Sequence, residues 1–347
     1  MTSKISFSDI ETRLREQTAV VIPAYFPPGA ENDRMRSLLE ETALSYCHEL
    51  GDAQAVCLCA DGPGEAAEAV EELRKEYGVR AAAAEEHLGK LGALRTGMSC
   101  LLEDESYRYL ATVDQDGDHF PNELRNLVRA ARGVETDAGG GRVMVLGRRI
   151  SKHRPLGFFR GELEELADRM LLDALQYRAA LDGQPLRMEY ANTLDEYPDF
   201  HSGYKLFDRQ TAADVFLSEP RTGGVSADCY YMHAVEAVMS VEALQAGARL
   251  AVVNRSTMNE QPVSTFALLE RARMTADKIV WPCRRLEVPG EFVDQWMRNH
   301  IPRLLMGTIV PEGRRELKQV WQLVKREFQI EGEEPEEGSP FKRPRFI

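Results

Sequence analysis

Residues 107–121 read YRYLATVDQDGDHFP. The run YRYLATV predicts a strand, and Pro121 predicts the first turn of a helix. Between them three carboxylates fall at alternate positions, Asp114, Asp116 and Asp118, followed by His119 and Phe120. In open parallel sheets ligands gather beyond the carboxyl ends of the strands, which is where this run begins. Three acids crowded together repel one another unless something offsets their charge. A hard divalent cation with oxygen ligands, Mg²⁺ or Mn²⁺, is the natural partner, often shared with a diphosphate. A solvated acidic turn is the plain alternative for the run in isolation. A helix–loop–helix calcium site is excluded, because the sixth and twelfth positions from Asp114 are His119 and Arg125, where glycine and glutamate are required.

Outward from this run the chain alternates. TAVVIPAY is an apolar stretch ending in proline, as expected of a strand covered on both faces. AVCLCA reads as another and breaks at Asp61-Gly62-Pro63-Gly64, while VRAAAA is a weaker strand because alanine also suits helices. VMVLG and RLAVVN follow downstream. Helical spacing marks Met35, Leu38, Leu39, Ala43 and Tyr46, and helices are also expected over Glu65–Tyr77, Gly92–Leu102 and Pro121 to about Arg132. The order predicts an α/β fold, a mainly parallel sheet covered by helices. Ser8 and Glu11 predict a capping box opening a short N-terminal helix. Beyond Gly147 come a long helix (Arg160–Leu181), HSGYKLF as strand or loop, a helix over Ser226–Gln245, and a helix-rich stretch from 263 to 330. The expected organisation is an N-terminal helix (1–17), an α/β catalytic domain (18–257), a helical C-terminal extension (258–330) and a charged, proline-bearing tail (331–347) read as disordered.

The chain has 347 residues, 43% of them hydrophobic, which excludes fibrous and wholly disordered classes. No run approaches the ~18 apolar residues of a membrane-spanning helix. The first residues have no apolar core and no cleavage site, so no secretory signal is expected. Six cysteines are scattered without disulfide or zinc spacing, and Cys57 and Cys59 read as buried strand thiols, so the expected compartment is the reducing cytoplasm. A net charge of −13 argues against nucleic acid as a partner. One stretch departs from it: residues 298–326 hold seven Lys/Arg against two Glu, interleaved with Phe292, Trp296, Leu304, Leu305, Met306 and Trp321 nearby. This predicts either a peripheral contact with the inner face of a membrane, on an anionic leaflet, or a solvated basic face.

The ordered series VVIPAY, ADG, HLGKLGALRTGM, VDQDGDHFPNEL, VLGRRISK and HSGYKLFDR resembles the motifs of family-2 glycosyltransferases with the GT-A fold. The likeness covers roughly residues 18–257 and is greatest to the branch that makes polyprenyl-phosphate sugars, such as the dolichol-phosphate mannose synthases. Two motifs depart from the family: Phe26-Pro27 stands where Asn-Glu is usual, and Ala60-Asp61-Gly62 where Asp-Asp-Gly is usual.

The resemblance implies a metal-dependent, inverting transfer of a hexose from a UDP- or GDP-linked donor to a polyprenyl phosphate. Pro23, Tyr25, Asp61, Lys90 and Asp114 would bind the nucleotide sugar. Asp114, Asp116 and Asp118 would hold Mg²⁺ or Mn²⁺. Arg148, Arg149 and Lys205 would receive the acceptor; His201, next to Ser202, reads either as a further acceptor contact or as a hydrogen-bonded structural histidine. Were the acceptor instead a hydroxyl of a glycan or small metabolite, a carboxylate must take its proton, and Asp228 and Glu236 are the candidates, each equally readable as a solvated helix acid. Two other classes stay open. An aspartate-nucleophile phosphatase also carries Asp-x-Asp-Gly after a strand, here at Asp114 and Asp116, although Asp118 stands where threonine is usual. The other is a non-catalytic nucleotide-sugar-binding protein.

Overall fold

The computed structural model describes residues 5–27, 32–191, 197–258 and 270–330. The expected disordered tail lies outside them. The contacts divide the chain into two units, one of residues 1–150, 187–220 and 238–263, the other of residues 151–186, 221–237 and 264–347. This differs from a single boundary near residue 257: the long helix after the fifth strand and the segment 221–237 group with the C-terminal helices.

The first unit is built on a seven-stranded sheet. Near its centre, β1 (Thr18–Ala24) is buried at every position, as an apolar run without alternation requires. On one side lie β2 (Val56–Ala60) and the edge strand β3 (Arg80–Ala83), both parallel to the centre. On the other lies β4 (Tyr109–Thr112), paired parallel with β1. Next come β6 (Lys205–Asp208), β5 (Val143–Arg149) and β7 (Arg249–Arg255), with β6 antiparallel to both of its neighbours. The expected mainly parallel sheet is present, with HSGYKLF supplying its one reversed strand.

Helices α2 (Asn32–Leu50), α3 (Glu65–Tyr77), α4 (Lys90–Leu102) and α5 (Pro121–Ala138) connect the parallel strands and cover the sheet, and α7 (Arg209–Phe216) follows β6 and packs against α4. Preceding them, α1 (Phe7–Gln17) is capped by Ser6, whose Oγ accepts the Asp9 N–H at 3.0 Å. Ser8, the expected cap, is already inside the helix. From β1 the chain turns one way to β2 and β3, then crosses to β4 on the other side. The carboxyl ends of β1 and β4 therefore flank the point where the strand order reverses, the standard position for a ligand crevice.

The second unit is helical. It contains α6 (His153–Asp182), α9 (Arg271–Arg285), α10 (Gly290–His300), α11 (Met306–Ile309) and α12 (Gly313–Glu327). The helix expected over Ser226–Gln245 is broken: Cys229–His233 forms a π turn, and a regular helix, α8 (Val235–Gln245), begins after it. Trp281, Trp296 and Trp321 are at most 1% exposed, and each indole N–H has an acceptor: Arg221 O at 3.1 Å, Asp173 Oδ2 at 2.6 Å and Asp294 Oδ1 at 2.8 Å. Trp296, Trp321, Leu304 and Met306 are core, Arg298 and Lys325 lie over the Trp321 ring, and of the apolar residues first assigned to a membrane face Leu305 is the exposed one. No described helix is long and apolar enough to cross a membrane.

Candidate active site

The apolar register of β1 and β4 ends one residue short of Tyr25 and two short of Asp114, so both project beyond the sheet at the crevice. Gln115 fastens them together. Its side-chain Nε2 donates to Tyr25 O at 2.9 Å and its Oε1 accepts the Tyr25 N–H at 3.0 Å, so one amide adds a rung beyond the last backbone pair. The Tyr25 ring stacks on His87, with centroids 4.7 Å apart and planes 15° off parallel. His87 is exposed, so this pair forms a partly open aromatic shelf beside the acids.

The shelf is held by Asp61. Its Oδ1 accepts the N–H groups of Leu88 at 3.1 Å and Gly89 at 2.9 Å, and its Oδ2 lies 2.8 Å from His87 Nδ1. Asp61 was expected to line the nucleotide pocket. With both oxygens engaged and 6% exposure, it instead positions the 87–89 loop and, through it, the start of α4. Pro23 is likewise buried within β1, in register with Cys59.

Lys90, the first residue of α4, reaches Asp114: Nζ to Oδ1 is 2.7 Å. Burial opposes ionisation of Asp114, yet Lys90 and the other cations around it hold its carboxyl well below the usual range. Asp116 is the reverse case. Burial, reinforced by the charges of Asp114 and Asp118, pushes its carboxyl up to about 7. One lysine thus serves two adjacent acids, and the second lacks enough positive charge to ionise readily at neutral pH. Oxygen donors and a deficit of positive charge fit a hard dication, which Asp114 and Asp116 would hold.

Asp118, the expected third ligand, has another task. Its Oδ2 accepts from Arg255 Nη1 at 3.1 Å and its Oδ1 accepts the Met258 N–H at 2.6 Å. Arg255 also donates to Asp118 O at 2.9 Å and to Ser202 Oγ at 3.3 Å, and it is 2% exposed. The aspartate that continues the alternation therefore anchors the acid turn to the end of β7. His119 supports the same turn from behind. Its Nδ1 accepts the Asp114 N–H at 3.0 Å, its ring stacks on Tyr204 at 4.8 Å, and burial pushes its pKa well below the usual imidazole value.

Two expected acceptor residues are committed inside the fold. Arg149 forms a buried bidentate pair with Asp199, Nε to Oδ2 at 2.8 Å and Nη2 to Oδ1 at 2.6 Å. Lys205 is fully buried and donates to the carbonyls of Phe200, at 2.9 Å, and Ser202. Their place at the crevice edge made them look like ligand cations, but burial forces each to find partners within the protein. His201 is buried beside them, and Arg148, half-buried, donates to Asn254 Oδ1 at 2.9 Å. Asp228 and Glu236 belong to the other unit, where Asp228 is exposed and Glu236 half-buried.

Gln115, His87, Asp199, Gly203 and Arg255 were not singled out in the sequence. Arg255 was within reach, because it ends a strand whose carboxyl edge faces the crevice. Gly203 was not: its role is to leave room. A Cβ there would stand 2.8 Å from Asp114 Oδ2 and 3.1 Å from Oδ1. Gly203→Ala is expected to displace that carboxylate and cost about 1–3 kcal/mol as an overpacked contact. Denaturant unfolding and a crystal structure of the variant check it; an unmoved Asp114 at wild-type stability would refute the close-packing account.

A cavity of ≈ 810 Å³ lies elsewhere, at the amino ends of β4 and β5, lined by Arg108, Arg132, Gly140, Arg209 and others, with none of the acids above.

No family model and no curated protein sequence matches the chain. Among solved structures it is similar to a mycobacterial protein, with 17% identity over 83% of this chain and 80% of that one, at a TM-score of 0.48. It is also similar to S. aureus TarS 1-349 in complex with UDP, with 12% identity over 90% of each chain and a TM-score of 0.37. A third likeness is to 4-diphosphocytidyl-2C-methyl-D-erythritol synthase from Anaerococcus prevotii, with 10% identity over 69% of this chain and 87% of that one, and a TM-score of 0.36. Likenesses this distant leave the chemistry to be argued from the residues of the crevice.

Proposed function

We propose that the chain is a glycosyltransferase that takes a hexose from a nucleotide sugar with the help of Mg²⁺ or Mn²⁺. The observation that carries the reading is the Lys90–Asp114–Asp116 group at the strand-order reversal, with one acid paired and the next short of positive charge. A sugar nucleotide has the matching parts. Its base would rest on the Tyr25–His87 shelf, and its diphosphate would lie against Lys90 and the amino end of α4. The dication, once bound, supplies the positive charge that a departing nucleoside diphosphate calls for. Lys90 adds a fixed cation at the same place, and the buried Asp118–Arg255 pair keeps the acid turn from relaxing away. The motif likeness to family-2 glycosyltransferases supports the same reading.

For the acceptor, the resemblance favours a polyprenyl phosphate and an inverting transfer. The commitment of Arg149 and Lys205 inside the fold favours instead a hydroxyl of a glycan or small metabolite, since an anionic acceptor loses the cations assigned to it. A hydroxyl must give up its proton to a base as the new bond forms, whereas a phosphate oxygen is already an anion. Product analysis with a labelled donor, offered a short-chain polyprenyl phosphate or soluble hydroxyl acceptors in parallel, separates the two.

The donor half is tested by thermal shift with UDP-, GDP- and dTDP-sugars, with and without Mn²⁺. Binding to the native state should raise Tm through mass action. The pH dependence has a definite sign. An acid whose folded pKa is raised binds more protons folded than unfolded, so its contribution to stability declines as pH rises from about 4 through about 7. Cation-free protein should therefore lose stability over that range, and Mn²⁺ should restore more of it at pH 8 than at pH 5.5. A Tm indifferent to every sugar nucleotide, with or without Mn²⁺, would remove the proposal.

A further inference from the structure

The helical unit holds a second group of ligating side chains, separate in sequence and chemistry from the acid turn. His153, Glu162 and Glu165 each offer one ligand atom, and these atoms lie within 4.8 Å of one another. We infer that they form a binding site for a transition-metal dication such as Zn²⁺.

The local fold is shaped to bring them together. His153 opens α6, and the helix is interrupted at Gly157, whose φ of 76 and ψ of 161 let the chain reverse before it resumes. The reversal lays the His153 imidazole on the backbone of Gly161, where a Cβ would stand 2.8 Å from His153 Cδ2 and 3.2 Å from its Cα. Phe158 packs against the ring at 5.6 Å between centroids. The histidine is thereby aimed at the next turn, where Glu162 and Glu165 are three apart and share a helix face. His153 Nε2 is buried and makes no hydrogen bond, and it lies 3.5 Å from Glu162 Oε1. Two ligands on one zinc at ~2.1 Å each stand roughly this far apart in a tetrahedral arrangement.

Charge points the same way. Of the acids on this stretch, Glu164 is paired with Arg160 and Lys278, Asp168 with Lys152, and Glu165 through one oxygen with Arg169. Glu162 is 6% exposed, and among the described residues the His153 ring is its only ion-pair partner, one that carries charge only when protonated. A carboxylate buried this far is costly unless a cation meets it. The ligands also have the outer supports that metal sites use to fix orientation: the Met306 N–H donates to Glu162 Oε2 at 3.3 Å, and Arg169 donates to Glu165 Oε1 at 2.8 Å. One imidazole with two carboxylates suits zinc and its neighbours, whereas the oxygen-only pair Asp114 and Asp116 suits magnesium or manganese. Three protein ligands leave a fourth position for water or a substrate oxygen.

The test is equilibrium dialysis of chelator-stripped protein against Zn²⁺ in excess Mg²⁺, which keeps the acid turn occupied. One zinc per chain is expected for the wild type and for Asp116→Asn. His153→Ala and Glu165→Gln should each weaken binding at least about a hundredfold. Glu165 is half-buried at the helix surface, so Glu165→Gln should keep the wild-type metal-free melting temperature even if His153→Ala does not. Co²⁺ gives an independent readout, a visible absorption band present in the wild type and missing from both variants. Wild-type zinc affinity in Glu165→Gln, or no zinc in the wild type, overturns the assignment.

Discussion

Asp116→Asn is expected to make the cation-free protein more stable and to abolish the proposed transfer. At pH 8 the native carboxylate is held ionised against burial and against the charges of Asp114 and Asp118. A neutral amide of the same shape relieves that cost, worth on the order of 2 kcal/mol after allowance for solvent. The gain should vanish near pH 4, where the wild-type side chain is already protonated. On the proposed function sugar transfer should fall at least about a hundredfold, because the cation that would offset the charge of the departing diphosphate loses a ligand. Stability and activity moving in opposite directions mark a residue kept for chemistry rather than for folding. Urea unfolding and initial rates on the same preparation measure both, and full activity in the variant would rule Asp116 out of the reaction.

The second large effect concerns folding. Asp199 is 1% exposed and accepts three hydrogen bonds from Arg149, through the backbone N–H at 3.0 Å, Nε at 2.8 Å and Nη2 at 2.6 Å. Asp199→Ala leaves a guanidinium buried without its carboxylate and should cost about 3–5 kcal/mol, read as a shift in the unfolding midpoint. Replacing both partners by leucine removes the orphaned charge, and much of the stability should return. The double variant also decides the role of Arg149. If it folds and keeps its KM for the acceptor, the arginine is structural, as its burial implies; a KM raised tenfold or more would return Arg149 to acceptor binding.

The strands were legible because their interiors are unbroken apolar runs, and TAVVIPAY and AVCLCA pair in register along the middle of the sheet. The crevice was legible because three acids directly after such a run stand out against the local composition. What escaped was whatever depended on distant segments meeting. Nothing in HSGYKLF announces that its last three residues, with Asp208, run antiparallel between β4 and β5. Lys205 therefore resembled a surface cation when its ammonium in fact satisfies two carbonyls of its own turn. Asp118 was read with its alternating neighbours, yet its partner Arg255 lies 137 residues away. Local spacing identifies which residues crowd together; tertiary pairing decides which of them are left for a ligand.

The side-chain amide of Gln115 grips both main-chain atoms of Tyr25 while its own backbone sits between two carboxylates. The aromatic perch and the anionic loop are consequently one mechanical piece. Neither can shift far without breaking the two hydrogen bonds that join them.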